Sequence, residues 1–155
     1  MLYNDDFCME YEKMYEVALE IATEAHKGQK DDAGKDYINH PLKVASLCKN
    51  KKAKIVALLH DTIEDTFVTK EYLLEKKISS DIVEAVVLVT KEKGYDPVEY
   101  FTRIKNNPIA REVKLADLTH NSDLSRIDNP NEHQINRVAK YKKQMAFLKD
   151  EIKTL

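Results

Sequence analysis

Apolar residues recur along most of this chain at steps of three and four, the spacing of one face of a helix. Met14, Val17, Ala18, Ile21, Ala22 and Ala25 follow that step and predict an amphipathic helix over residues 10–27. Gly28 ends it, and the polar stretch 28–39, with Gly34 near its centre, reads as a loop. Pro41 suits the first turn of a second helix reaching about residue 50. Residues 53–60, AKIVALLH, are a continuous apolar run whose periodicity fits a buried strand as well as a buried helix. With no other strand to pair with it, helix is the expectation. Thr69 is the candidate cap of a helix over 70–77. Ser79 or Ser80 caps one reaching about residue 91, although its IVEAVVLV run is strand-prone by propensity. Asp96-Pro97-Val98-Glu99 combines a cap, a first-turn proline and a capping-box acid. Asn107-Pro108 repeats the start signal for a helix through about Ser122, and Asn129-Pro130-Asn131-Glu132 does so for the last one. That last helix is expected to carry Val138, Tyr141, Met145, Leu148, Ile152 and Leu155 as a seam. The seam packs inside a bundle or, as the alternative, forms a homodimer interface.

The whole chain, residues 1–155, is therefore expected to be one all-α domain. Its 43% hydrophobic and 34% charged residues exclude a disordered chain. Only 3 glycines and 4 prolines disfavour a β-sandwich with many tight turns. No stretch approaches the length of a membrane span. With 25 Lys and Arg against 27 Asp and Glu, the net charge of −2 argues against general nucleic-acid binding. The first residues, Met1-Leu-Tyr-Asn-Asp-Asp-Phe, carry acids where a secretory leader has cations. Cys8 and Cys48 are too few for a disulfide framework and are expected as free thiols in a reducing cytoplasm.

Three features carry chemistry. His40 opens a helix after a polar loop. His60-Asp61 closes the apolar run and precedes Glu64-Asp65. Asp117 lies four residues before Asn121 on a later helix, so the two share a face. His60 and Asp61 converge on one ion if the helix end faces a pocket, with His40 and Asp117 completing the set. Two imidazoles and two carboxylates suit manganese, iron, zinc or a similar divalent metal, and leave room for water. Glu64, one turn from His60, is placed to take a proton, and Asp65 to share that role or to protonate a leaving oxygen. His26, His120 and His133 read as structural. No glycine-rich phosphate loop and no serine-hydrolase elbow is present.

The order Ala25-His26-x-Gly28-Gln29, Gly34, Tyr37-Ile38-x-His40-Pro41, His60-Asp61-x-x-Glu64-Asp65-Thr66, Thr90-Lys91 and Lys114-Leu115-Ala116-Asp117-x-x-His120-Asn121 resembles the HD superfamily. More narrowly, it resembles the hydrolase domain of RelA/SpoT-type alarmone enzymes and the stand-alone small alarmone hydrolases. The resemblance implies a helical bundle that uses a divalent metal, typically manganese, to remove the 3′-pyrophosphate of (p)ppGpp. It implies His40, His60, Asp61 and Asp117 as metal ligands, Glu64 and Asp65 as the catalytic acid pair, and Asn121 as a substrate contact. Lys30 and Lys91 are the candidate cations for the nucleotide. Phosphatase action on another nucleotide, or nucleotide sensing without turnover, are the alternatives.

Two departures from the pattern stand out. The loop that carries an Arg-Lys pair in the alarmone branch has Asp31-Asp32 here, and the arginine after the last metal aspartate is replaced by Leu118. Carboxylates at the loop are expected to repel a phosphate-rich ligand.

Overall fold

A computed structural model describes residues 2–155, with side chains from residue 10 onward. The helices are α1 (Leu2–Ala25), α2 (Asn39–Leu47), α3 (Lys51–Leu59), α4 (Thr62–Asp65), α5 (Lys70–Glu75), α6 (Ser80–Val89), α7 (Pro97–Lys105), α8 (Pro108–Asn121) and α9 (Glu132–Leu148). A 3₁₀ turn, Leu124–Arg126, joins the last two. Among the described residues there is no strand, and extended pairing is confined to one bridge between Lys30 and Asp36. None of the described helices is long and apolar enough to cross a membrane.

The helix at the centre is α3. Ala53, Ile55, Val56, Ala57, Leu58 and Leu59 are all buried, so it is apolar around nearly its whole girth. It packs against α1, α2, α6 and α8. Burial of each large aliphatic side chain here contributes about 1.5–3 kcal/mol. The same burial explains why the strand-prone run of α6 is helical. Ile82, Val83, Ala85, Val86 and Val89 bury against the helices around them, and packing overrides propensity.

Local signals set most helix starts. Asn50 accepts hydrogen bonds from the Lys52 and Ala53 N–H groups, and Thr69, Asp96 and Asn107 cap α5, α7 and α8 in the same manner. Asn131 and Gln134 form a reciprocal capping box on α9. Ser79 precedes α6 without capping it, because its hydroxyl donates to Asp81 at 2.7 Å. Glu99 does not close a capping box either; it pairs with Arg103 one turn on.

Helices α2, α5 and α6 end two or three residues earlier than the sequence predicts, at Leu47, Glu75 and Val89, and two boundaries differ by more. The first helix begins at Leu2 rather than residue 10. The last stops at Leu148, because Asp150 adopts a left-handed backbone (φ 61°) and Glu151 N–H closes back onto Ala146. Ile152 and Leu155 therefore reach the core from a non-helical tail. The seam of α9 faces inward: Val138 and Leu148 are buried, and Tyr141 and Met145 pack on the core. Cys48 is a buried free thiol; the Cys8 side chain lies outside the described residues.

Candidate metal centre

The site forms where α2, the end of α3 and α8 meet. The loop after α1 leads into it. Gly28 and Gly34, with φ of 84° and 79°, make its tight turns. Asp31 Oδ1 accepts the N–H groups of Ala33 and Lys35, both at 2.9 Å, and so ties the loop to itself. The chain then delivers Tyr37 and, in the first turn of α2, His40.

Adjacent residues on a helix point about 100° apart. His60 and Asp61 escape this because α3 ends at Leu59 and the chain turns before α4 begins. Thr62 Oγ1 donates to Leu59 O at 2.8 Å within that turn. His60 Nδ1–H donates to Ala57 O at 2.5 Å, which leaves the Nε2 lone pair as its free donor atom.

Donor atoms of His40, His60 and Asp61 lie within 4.8 Å of one another, and Asp117 Oδ1 sits beside the two imidazoles. His40 Nε2 lies 2.9 Å from Asp117 Oδ1 and 3.2 Å from His60 Nε2. His60 Nε2 lies 3.0 Å from Asp61 Oδ2 and 3.4 Å from Asp117 Oδ1, and His40 Nε2 lies 3.8 Å from Asp61 Oδ2. Neighbouring ligands about 2.1 Å from an ion are separated by about 3.0 Å in an octahedron and about 3.4 Å in a tetrahedron. The observed spacings bracket both, so this mixed nitrogen and oxygen set fits a divalent metal.

The surroundings hold the two carboxylates charged. Burial works against the Asp117 carboxylate, but the Lys114 ammonium 2.9 Å away and the two imidazoles hold it well below the usual carboxylate range. Burial also opposes the charge on Asp61, yet His60 brings it down to about 2. His60 is desolvated too, and Asp61 and Asp117 more than offset this, so without an ion it keeps a second proton well above an ordinary histidine, and a bound metal would displace that proton from Nε2. Lys114 is buried, but Asp117 and Tyr100 keep it protonated. Burial and the neighbouring Asp61 raise Tyr37, which stays a phenol and donates to Asp61 Oδ2 at 2.5 Å.

Glu64 and Asp65 sit on α4, at the rim. Their carboxylate oxygens and that of Asp61 lie within 4.8 Å of one another. Glu64 Oε1 accepts the Lys91 N–H at 2.7 Å, and Gln29 Nε2 donates to Asp65 O at 3.3 Å. Partial burial raises both acids, and the charge of Asp61 adds to it.

Two adjoining cavities of about 260 and 230 Å³ open beside these groups and share Tyr37, Asn121, Arg137 and Tyr141. Asn121 donates to Asp117 Oδ1 at 3.0 Å. Lys91 lines the second cavity, its ammonium over the Tyr95 and Tyr100 rings. Lys30 lines the first but pairs with Asp36. The acidic loop differs from expectation. Arg126 lies 3.8 Å from Asp31, and Arg137 lies 3.1 Å from Asp32, so neither carboxylate faces the cavity uncompensated.

Sequence reading assigns no site role to Tyr37, Gln29, Lys114 and His120, nor to Arg137 and Lys140 of α9, which line the second cavity. The first four sit inside the quoted motifs but give no spacing signal of their own. His120 packs parallel to His40, with rings 5.0 Å apart and 14° from coplanar, and their Nδ1 atoms are 2.7 Å apart. Burial and the nearby Arg126 push His120 down to about 4.

A family model of the HD domain matches residues 18–113. Over 119 residues the chain is 37% identical to a guanosine-3′,5′-bis(diphosphate) 3′-pyrophosphohydrolase of Haemophilus influenzae, covering 65% of this chain and 17% of that one. It is 36% identical over 116 residues to the bifunctional (p)ppGpp synthase/hydrolase SpoT of Escherichia coli, covering 65% and 16%. The chain thus spans about a sixth of the length of these bacterial relatives. A Danio rerio guanosine-3′,5′-bis(diphosphate) 3′-pyrophosphohydrolase is 34% identical over 137 residues, 79% of this chain and 75% of that one. A solved structure of a metazoan SpoT orthologue that hydrolyses ppGpp superposes with a TM-score of 0.68 at 23% identity, covering 87% of this chain and 84% of the other.

Proposed function

The chain belongs to the HD-domain family, and from that premise we propose that it is a metal-dependent pyrophosphohydrolase that removes the 3′-pyrophosphate of (p)ppGpp. The observation that carries this reading is the convergence of His40, His60, Asp61 and Asp117 on one point, with Glu64 and Asp65 at its edge and a cleft beside it. Manganese in a reducing cytoplasm belongs to the same proposal: an imidazole–carboxylate set suits that ion, and the buried Cys48 thiol suits that compartment.

His40, His60, Asp61 and Asp117 hold the cation, which supplies Lewis-acid polarisation of a phosphoryl oxygen. The chain does the rest. Lys114 neutralises Asp117, and Tyr37 donates to the same Asp61 oxygen that faces the two imidazoles, fixing that carboxylate in the site. Lys91, Arg137 and Lys140 line the cleft and bind phosphate oxygens, while Asn121 keeps the Asp117 edge of it in place. Glu64, oriented by the Lys91 N–H, takes a proton from the attacking water. The water oxygen bonds to phosphorus, the bond from phosphorus to the ribose 3′ oxygen breaks, and Asp65 protonates that oxygen. Pyrophosphate and GDP or GTP leave.

The acidic loop favours a second reading, a less anionic nucleotide, because Asp31 and Asp32 draw on Arg126 and Arg137. Manganese-loaded protein assayed against a nucleotide panel that includes ppGpp decides between them. Release of pyrophosphate from ppGpp at the highest kcat/KM supports the first reading, preference for another nucleotide the second, and no turnover of any leaves a sensor. Asp61→Ala abolishes metal binding, read by elemental analysis, while most helical circular dichroism remains.

A further inference from the structure

We propose that His120 is a positioning residue for the metal centre: its Nδ1 accepts the Nδ1–H of His40 and so turns the His40 Nε2 lone pair toward the ion. The inference rests on the metal reading of the site. His40 approaches the other donors only through Nε2, which lies 2.9 Å from Asp117 and 3.2 Å from His60 Nε2. A neutral imidazole that ligates through Nε2 carries its proton on Nδ1, and a buried N–H needs an acceptor. For His40 that acceptor is His120 Nδ1 at 2.7 Å.

Other features agree. Both rings are buried, and they lie nearly coplanar and edge to edge, as a linear N–H···N bond requires, which fixes the His40 plane. His60 solves the same problem differently, with the Ala57 carbonyl as its acceptor. The carbonyl in the matching place before His40, Tyr37 O, accepts the His40 backbone N–H at 3.0 Å, and no bond from the ring to it is formed. The ring's acceptor comes instead from α8. His120 Nδ1 is thereby engaged with His40 rather than offered as a ligand. Asp117, three residues earlier on α8, ligates, and His120 orients, so one helix supplies both a ligand and the partner of another ligand.

The test uses the full-length protein and manganese alone. Asn at position 120 places an amide oxygen near the place of Nδ1, Leu keeps bulk without an acceptor, and Gln moves the amide one carbon further out. Loss of such a supporting hydrogen bond typically weakens metal affinity by about 10- to 100-fold. His120→Leu and His120→Gln are expected to raise the manganese Kd by that factor, read by competition with a chromophoric chelator, and His120→Asn to stay within about threefold of wild type. Thermal melts of the metal-free proteins report folding, and Gln carries the test if the Leu variant does not fold. Wild-type affinity in the Leu or Gln variant overturns the proposal. So does equal weakening in the Asn variant, which would assign the effect to ring packing. If the wild-type chain itself binds no manganese, it is the metal reading that fails.

Discussion

Asp32 and Arg137 offer a sharp test of how this cleft treats anions. The carboxylate is exposed and the guanidinium, which lines both cavities, is half-buried at 39% exposure. At 3.1 Å their attraction in water is about 1.3 kcal/mol by Coulomb's law. Ordering two flexible side chains offsets part of that, and exposed pairs of this kind retain about 0.2–1 kcal/mol. A phosphate that uses Arg137 must first give up that amount. Asp32→Asn removes the competitor, so KM for the best nucleotide is expected to fall by about 1.4- to 5-fold, at 1.36 kcal/mol per factor of ten. The turnover number stays unchanged, because the groups around the metal centre are not touched. Initial rates at low salt measure this, and added salt should shrink the difference. Removing a negative charge also changes the long-range field, so the same substitution is repeated in an Arg137→Gln background. There the effect should vanish. An undiminished effect in that background would refute the pairing argument and return the loop to simple repulsion. Asp31 is a different case. Its two backbone hydrogen bonds make it part of the loop's construction, and replacing it perturbs shape as well as charge.

Three further outcomes are expected. Glu64→Gln keeps shape and metal but lowers kcat by about 10²- to 10⁴-fold, and equal rates would remove Glu64 from the chemistry. Asn131→Ala breaks the α9 capping box and costs about 1 kcal/mol, lowering the melting midpoint by about 2–4 °C; an unchanged midpoint would contradict the cap. Burial, with Glu112 nearby, pushes the Cys48 thiol up to about 12, so iodoacetamide at pH 8 should label it slowly in the native state and fully in urea. Fast native labelling, read by peptide mass spectrometry, would overturn that.

What the sequence made legible was local. Thr69, Asp96, Asn107 and Asn131 each announce a helix within three residues, because a cap needs only its own backbone neighbours. The four candidate ligands could be named from their motif. The turn that lets His60 and Asp61 face the same point could not, since it depends on α3 ending at Leu59 inside a packed core. His120 reads as structural from the sequence, and its bond to His40 is hidden for a similar reason: the partner is 80 residues away, and nothing near it in the chain marks a hydrogen bond between two rings. The acidic loop was read as repulsive because Arg126 and Arg137 enter it only through the fold.

The four-residue helix α4 carries both rim carboxylates, yet it buries only Thr62 and hangs from its surroundings by a few bonds, chiefly Lys91 N–H to Glu64 and Gln29 to the Asp65 carbonyl. Its neighbour α3 is locked in the core. Amide hydrogen exchange in α4 is therefore set by local opening, while that in α3 tracks global unfolding. The acids consequently ride on an element whose order is nearly independent of the molecule's overall stability. Substitutions at Gln29, whose amide holds one end of that suspension, can loosen the acids without moving the melting temperature, so selection on rate and selection on thermostability act on separate parts of this chain.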